Sequence, residues 1–121
     1  MPNELHRELT AKEISAMTLE ALCEARVDMN SAWWLLELED ETKKTKTEAA
    51  LLKMSVHHAI IKLENIKLKD ISEKLKENEA DLIQGRENLE KALQDLENVK
   101  NVIGSLTSFL GTVGKFIPLL I

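Results

Sequence analysis

Eight apolar residues recur at intervals of seven along the second half of the chain. The run begins at Leu68, ends at Ile117 and misses no position between them. Apolar residues at this interval, with companions three positions further on, are typical of helices that pack along a narrow seam. The members of the run are Leu68, Leu75, Leu82, Leu89, Leu96, Ile103, Leu110 and Ile117. They predict helical structure over about fifty residues.

Residues that interrupt helices are scarce through most of the sequence. The chain has 121 residues, of which 3% are aromatic, and neither Gly nor Pro occurs between Pro2 and Gly85. Because strands favour aromatic and β-branched residues and need turns between them, a β-rich fold is not expected. We therefore expect one all-α domain over residues 1–121, a length typical of a single domain.

A first helix is predicted over about residues 10–40. Thr10 and Glu13 have the spacing of a capping box, in which the threonine side chain accepts a hydrogen bond from the backbone and the glutamate reaches back. Trp33 and Trp34 are adjacent and point about 100° apart on a helix, so one of them is expected at the edge of an interface. The apolar stripe of this helix consists of Ile14, Met17, Ala21, Ala25, Met29, Ala32 and Leu36.

The polar stretch after Leu38 predicts a turn at 41–46, and Thr45 begins a second sequence of capping-box form. A helical segment over 47–101 follows. Its unbroken heptad favours a long second helix. The first helix is then expected to pack antiparallel against it, as a helical hairpin or coiled coil.

Two residues weaken the seam and leave an alternative open. Asn78 and Gly85 stand where apolar companions are expected, and Gly costs about 1 kcal/mol in a helix interior. If Asn78 instead caps a third helix, the chain is a three-helix bundle. Its helices are then 10–40, 47–76 and 79–116.

Residues 102–121 differ from the rest and are called the apolar tail below. No charged residue occurs between Lys100 and Lys115. The pattern predicts an apolar helix over 102–117, and the tail has the ~20 residues that cross a bilayer. Three interpretations are open: insertion into a membrane, burial in an oligomer or against the first helix, and attachment to a membrane surface. The residues expected to contact a membrane or a partner are Leu106, Phe109, Val113, Phe116 and Ile117.

The charges fall into three blocks of alternating sign. The net charge of −5 argues against nucleic acid as a partner, since phosphate binding needs a basic surface. Residues 1–41 carry ten acidic and three basic residues, residues 42–76 nine basic and four acidic, and residues 77–121 seven acidic and four basic. Blocks of opposite sign attract if they fold against each other, although each exposed pair contributes only about 0–1 kcal/mol.

The residues that catalysis or metal binding needs are not grouped in the sequence. Cys23 is the only cysteine, so an intramolecular disulfide is excluded. His6, His57 and His58 lack the Glu-x-x-His spacing of helical metal sites, and no Gly-rich phosphate loop occurs. We expect neither enzyme activity nor a cofactor, metal or small-molecule substrate. Residues 1–10 contain no apolar run, so no cleavable signal peptide is expected, and the protein is expected in the cytoplasm or at a membrane.

The predicted first helix is too short to cover the long second one, so the seam is expected to need a partner. We expect the protein to self-associate or to assemble with another helical protein, with the apolar tail engaging a membrane or that partner. The alternative is a subunit of an α-helical membrane-permeabilising (pore-forming) assembly. The residues expected in the packing seam are Leu68, Leu75, Leu82, Leu89, Leu96, Ile103 and Leu110, and Trp33 and Trp34 are expected at an interface edge.

Overall fold

The computed structural model describes residues 9–118, and within them every regular element is an α-helix. The all-α prediction is therefore confirmed. The residues 1–8, on which the expectation about a signal peptide largely rests, lie outside this range. The helices are α1 (Ala11–Met29), α2 (Ala32–Glu39), α3 (Lys43–Asn65), α4 (Leu68–Glu77), α5 (Glu79–Leu93) and α6 (Val99–Val113).

Helices α1, α3, α5 and α6 form a bundle around one apolar core. Both α1 and α6 pack against α3 and against α5, so α3 and α5 occupy opposite corners. Helix α4 leads from the end of α3 to the start of α5 and packs against α1. Helices α5 and α6 run antiparallel, because Gly85 meets Phe109 while the earlier Asp81 meets the later Lys115.

The beginning of α1 is fixed by its own cap and by contacts with the junction of α4 and α5. The predicted capping box is confirmed: Glu13 N donates to Thr10 Oγ1 (3.1 Å), and Thr10 N donates to Glu13 Oε1 (3.0 Å). Lys76 Nζ donates to the Leu9 carbonyl oxygen (2.6 Å), and Leu9 N donates to Glu79 Oε2 (3.3 Å). The hydrogen bond from Lys76 also holds the pKa of Glu79 below its ordinary value.

The helix predicted over 10–40 is divided into α1 and α2. Ser31 lies between them, and its hydroxyl donates to the Asp28 carbonyl oxygen (2.7 Å) while it accepts from Trp34 N (3.2 Å). A serine that makes both bonds closes one helix and caps the next. The apolar spacing of the sequence continues across this break, which is why periodicity alone predicts one helix. In the structure, however, Ala32 and Leu36 of the predicted stripe are exposed, and Trp34 is buried instead.

The predicted turn at 41–46 is shorter in the structure, because α3 begins at Lys43. Thr42 is the cap, and its hydroxyl oxygen accepts from Thr45 N (3.2 Å). The capping-box sequence that begins at Thr45 is not used, since Thr45 is itself buried in the first turn of α3.

The segment 47–101 does not form one long second helix. The chain leaves helical geometry at Ile66, where ψ is 144°, and again at residues 94–98. Asn78 separates α4 from α5, and its side-chain amide donates to the Lys74 carbonyl oxygen (2.8 Å). The alternative three-helix bundle anticipated the break at Asn78 but not the others.

The heptad spacing continues through these breaks because each successive helix directs its heptad residues toward the same core. Leu75 of α4, Leu82 and Leu89 of α5, and Ile103 and Leu110 of α6 are all buried. Regular spacing therefore reflects a shared interior and not one continuous rod.

Gly85 marks the closest approach between α5 and α6. A Cβ atom built at this position would lie 2.9 Å from Cδ1 of Phe109, a distance that real Cβ contacts do not adopt. Phe109 is fully buried, so its ring has little freedom to move away. Gly85 therefore stands in the heptad because the Phe109 ring occupies the space that a larger residue would need.

We predict opposite effects of alanine at two glycines. Gly85→Ala should lower the free energy of unfolding by up to about 2 kcal/mol, because overpacking costs about 1–3 kcal/mol and the gain in helix propensity offsets about 1. Gly104→Ala in α6, where a Cβ meets no atom within 4 Å, should raise it by about 0.5–1 kcal/mol. Urea denaturation followed by circular dichroism measures both.

The double variant Gly85→Ala/Phe109→Leu serves as the control for this interpretation. The smaller leucine should make the alanine less costly than it is beside Phe109, a non-additive result that a double-mutant cycle detects. Equal and additive effects would contradict a direct contact between the two positions.

Candidate interaction surface

Most of the residues predicted to form a packing seam lie inside a single copy of the chain. Leu75, Leu82, Leu89, Ile103 and Leu110 are buried among the helices of one bundle. The other two seam residues differ: Leu68 is 37% exposed at the start of α4, and Leu96 is partly buried in the connection before α6. Within one copy, the seam is thus largely covered by the chain's own helices.

The residues of the apolar tail that were expected to contact a membrane or a partner are also buried in the bundle. These are Leu106, Phe109, Val113, Phe116 and Ile117. Helix α6 packs mainly against α5 and α3, and it also contacts α2, which lies within the first helix predicted over 10–40. Across residues 9–118, no helix combines the length and the apolar character that crossing a bilayer requires.

The two tryptophans face different environments, as their adjacent positions on a helix require. Trp34 is buried in the core with 1% of its surface exposed, whereas Trp33 is 55% exposed. Leu35 and Leu36 of the same short helix are also exposed. Trp34 therefore fixes helix α2 to the core, and the other large apolar side chains named here face solvent.

The largest departure from the expected pattern is on α3, which is apolar on two sides. Leu51, Met54 and Ile61 are 54%, 69% and 44% exposed. With His58 they follow the spacing of three and four residues that defines one helix face, and Leu68 continues the same spacing after the break. We call Leu51, Met54, His58 and Ile61 the outer face of α3.

The bundle covers α3 on its inner side, and the outer face points away from the helices that do so. The buried residues of the inner side are Thr45, Ala49, Leu52, Ser55, Val56, Ala59, Ile60 and Leu63, and they contact α1 and α6. Several of these are small, so neighbouring helices approach closely on that side. The spacing of residues 51, 54, 58 and 61 could have revealed the outer face, but the stronger heptad further along the sequence obscured it.

Lysines outnumber acidic residues around the outer face of α3. Residues 43–69 contain seven lysines and two glutamates. On a helix with about 100° per residue, Lys53 and Lys62 flank the apolar stripe on opposite sides. Among residues 9–118, none of the seven lysines forms an ion pair. Ion pairs between the basic block 42–76 and a neighbouring block are instead formed at its end, where Lys74 pairs with Glu77 and Lys76 with Glu79.

A groove of about 570 Å³ lies between α1 and α5 and carries the opposite charge. Its lining includes Val27, which is 67% exposed. Arg86 stands beside it and pairs with Glu20 (3.7 Å) and Glu90 (3.0 Å). Burial raises the pKa of Asp28 above its ordinary value. The lining residues are Glu20, Cys23, Glu24, Val27, Asp28, Glu90, Leu93 and Gln94.

A second hollow of about 440 Å³ shares Leu93 and Gln94 with this groove and extends it past the exposed Trp33. Asp95, Leu96 and Glu97 complete its lining. We call the groove and the hollow together the acidic groove. It combines carboxylates with exposed apolar side chains, as the outer face of α3 combines lysines with them.

The structure groups few reactive side chains. Within residues 9–118, no cluster of three His, Cys, Asp or Glu side chains could hold a metal ion. Cys23 is a free, partly buried cysteine in the acidic groove. His57 and His58 line a hollow of about 250 Å³ with Met54 and Ile61 on the outer face of α3. Comparisons of the chain with family models, curated proteins and solved structures find no match.

Proposed function

We propose that the protein is a non-enzymatic helical interaction protein that self-associates or assembles with another helical protein through the outer face of α3. The observation that carries this proposal is the exposure of Leu51, Met54 and Ile61 along one helix face. Single exposed apolar residues are ordinary, but a stripe of them with helical spacing is typical of a surface that another helix covers. Coiled-coil pairing, which the sequence suggested for the heptad leucines, fits this stripe better.

The energetics of the stripe indicate a weak interface that needs additional contacts. Full burial of a Leu, Ile or Met side chain is worth about 1.5–3 kcal/mol, so covering the exposed half of each contributes about 1 kcal/mol. Association costs about 4–15 kcal/mol in lost freedom of motion. Three such side chains and a similar set on the partner only offset the lower end of that cost. Complementary charges and further apolar contacts must supply the rest.

The double variant Leu51→Gln/Met54→Gln tests this function. We expect the wild-type protein to increase in average mass over a wide range of micromolar concentrations, and the variant to remain monomeric with an unchanged unfolding transition. Both side chains already face solvent, so their replacement should change stability by less than about 0.5 kcal/mol. Sedimentation equilibrium measures the mass.

Leu35→Gln is the matched control, because Leu35 is a similarly exposed leucine on α2. It should associate like the wild type. A wild-type protein that remains monomeric at every concentration would contradict the proposed function, and so would a Leu51→Gln/Met54→Gln variant that associates normally.

A second proposed function is a subunit of a membrane-permeabilising assembly, in which α6 would leave the bundle. One observation favours it: no charged residue interrupts α6 between Lys100 and Lys115, although one side of this helix faces solvent. Release would expose the seven buried residues that α6 contributes to the core. Deleting the apolar tail would therefore damage the fold, and point variants on the exposed side of α6 are the better test.

We predict that Gly104→Lys/Gly111→Lys separates folding from insertion. A side chain at either glycine meets open space in the bundle, so the variant should fold normally. A lysine in the middle of an inserted helix costs about 2.5–3.5 kcal/mol. If the protein releases dye from anionic vesicles, the variant should lose that activity, and Gly104→Ala/Gly111→Ala should keep it. Absence of dye release by the wild type at any lipid ratio would contradict this second function.

A further inference from the structure

We propose that the outer face of α3 docks into the acidic groove of a second copy, so that the protein assembles head to tail. This inference rests on the proposed function, and it names the partner of the same surface. Both surfaces belong to this chain, and none of residues 9–118 covers them in a single copy. One surface carries lysines beside its apolar side chains, and the other carries carboxylates beside its apolar side chains.

The charges of the two surfaces are complementary. Lys53 and Lys62 flank the apolar stripe of α3 and have no partner among residues 9–118. Glu24 and Glu97 line the acidic groove, are exposed, and also form no ion pair among the same residues. Docking would bring unpaired charges of opposite sign to the rim of a contact whose centre is apolar. That arrangement is characteristic of specific protein interfaces.

The apolar parts of the two surfaces are also comparable in size. Leu51 and Ile61 are ten residues apart on α3, which corresponds to about 15 Å along a helix axis. The α1 wall of the groove runs from Glu20 to Asp28, or about 12 Å, and the adjoining hollow at Trp33 lengthens it. Val27 and Trp33 would then meet the stripe of the docked helix.

The positions of the two surfaces determine the kind of assembly. The outer face of α3 points away from the corner that α5 occupies, whereas the groove runs along the side formed by α1 and α5. One copy therefore cannot exchange both contacts with a single second copy. A contact between two different patches is heterologous, and it continues into a ring or an open chain of three or more copies.

Pairing of α3 with α3 is the competing arrangement. It would place the lysines around one stripe beside the same lysines of the second copy, and like charges at close range oppose association. The basic segment thus favours the groove over its own copy as the occupant.

Two charge-reversed variants test the proposal. Variant K carries Lys53→Glu/Lys62→Glu on α3, and variant E carries Glu24→Lys/Glu97→Lys in the groove. In each variant alone, the two charges substituted on one surface have the same sign as the unsubstituted pair on the other surface, so we expect association to be lost. An equimolar mixture should regain it, because in every contact between K and E the pair at positions 53 and 62 and the pair at positions 24 and 97 again have opposite signs. Sedimentation equilibrium of each protein and of the mixture measures the result.

Further measurements make the outcome specific. The control Lys12→Glu/Lys91→Glu changes the net charge as variant K does, but at exposed positions outside both surfaces, and it should associate like the wild type.

The mass of the wild type should rise beyond that of two copies. Association should weaken as ionic strength rises from about 0.1 M to about 1 M, which shortens the screening length from about 10 Å to about 3 Å.

Three outcomes would overturn the head-to-tail contact while leaving the proposed function intact. These are a wild-type mass that stops at two copies, normal association of variant E, and a mixture of K and E that stays monomeric although the wild type associates. A wild-type protein that is monomeric throughout would instead contradict the proposed function itself.

Discussion

The packing of the Phe109 ring on Gly85 is the contact on which the rest of the arrangement depends. It brings α5 and α6 close enough for the leucines of one to be covered by the apolar residues of the other. Once those two helices cover each other, the heptad leucines need no second molecule. Helix α6 then reaches α3 on its other side and closes the core. A larger residue at position 85 would push α5 and α6 apart.

This closure leaves α3 in an unusual position. Its inner side packs against α1 and α6, while its outer side carries Leu51, Met54 and Ile61 without cover from α5, which occupies the opposite corner. The acidic groove on the side of α1 and α5 carries charge of the opposite sign. Charge blocks that alternate along the sequence have thus become surfaces that lie on different sides of one bundle.

The helical class could be predicted from the sequence because heptad spacing and the scarcity of Gly and Pro act locally. The start of α1 could be predicted for the same reason, since Thr10 and Glu13 are close in sequence. The turn before α3 could also be predicted, from the polar stretch after Leu38. The break at Ser31 could not, because its hydroxyl bonds interrupt the helix while the apolar spacing of the sequence continues. Spacing alone also cannot tell whether Leu82 meets a helix of the same chain or of another. That depends on the Gly85 and Phe109 contact, which is 24 positions apart in the sequence.

The central claim is that the heptad leucines are covered within one chain and that the outer face of α3 is left for assembly. Methyl NMR with a soluble paramagnetic probe tests both parts in one sample series. In dilute protein, the methyl signals of Leu51, Met54 and Ile61 should be broadened, and those of Leu82 and Leu89 should be protected. On concentration, the signals of the outer face should become protected as well. Broadening of Leu82 and Leu89 in dilute protein would contradict the account, and so would an outer face that stays accessible while the protein associates.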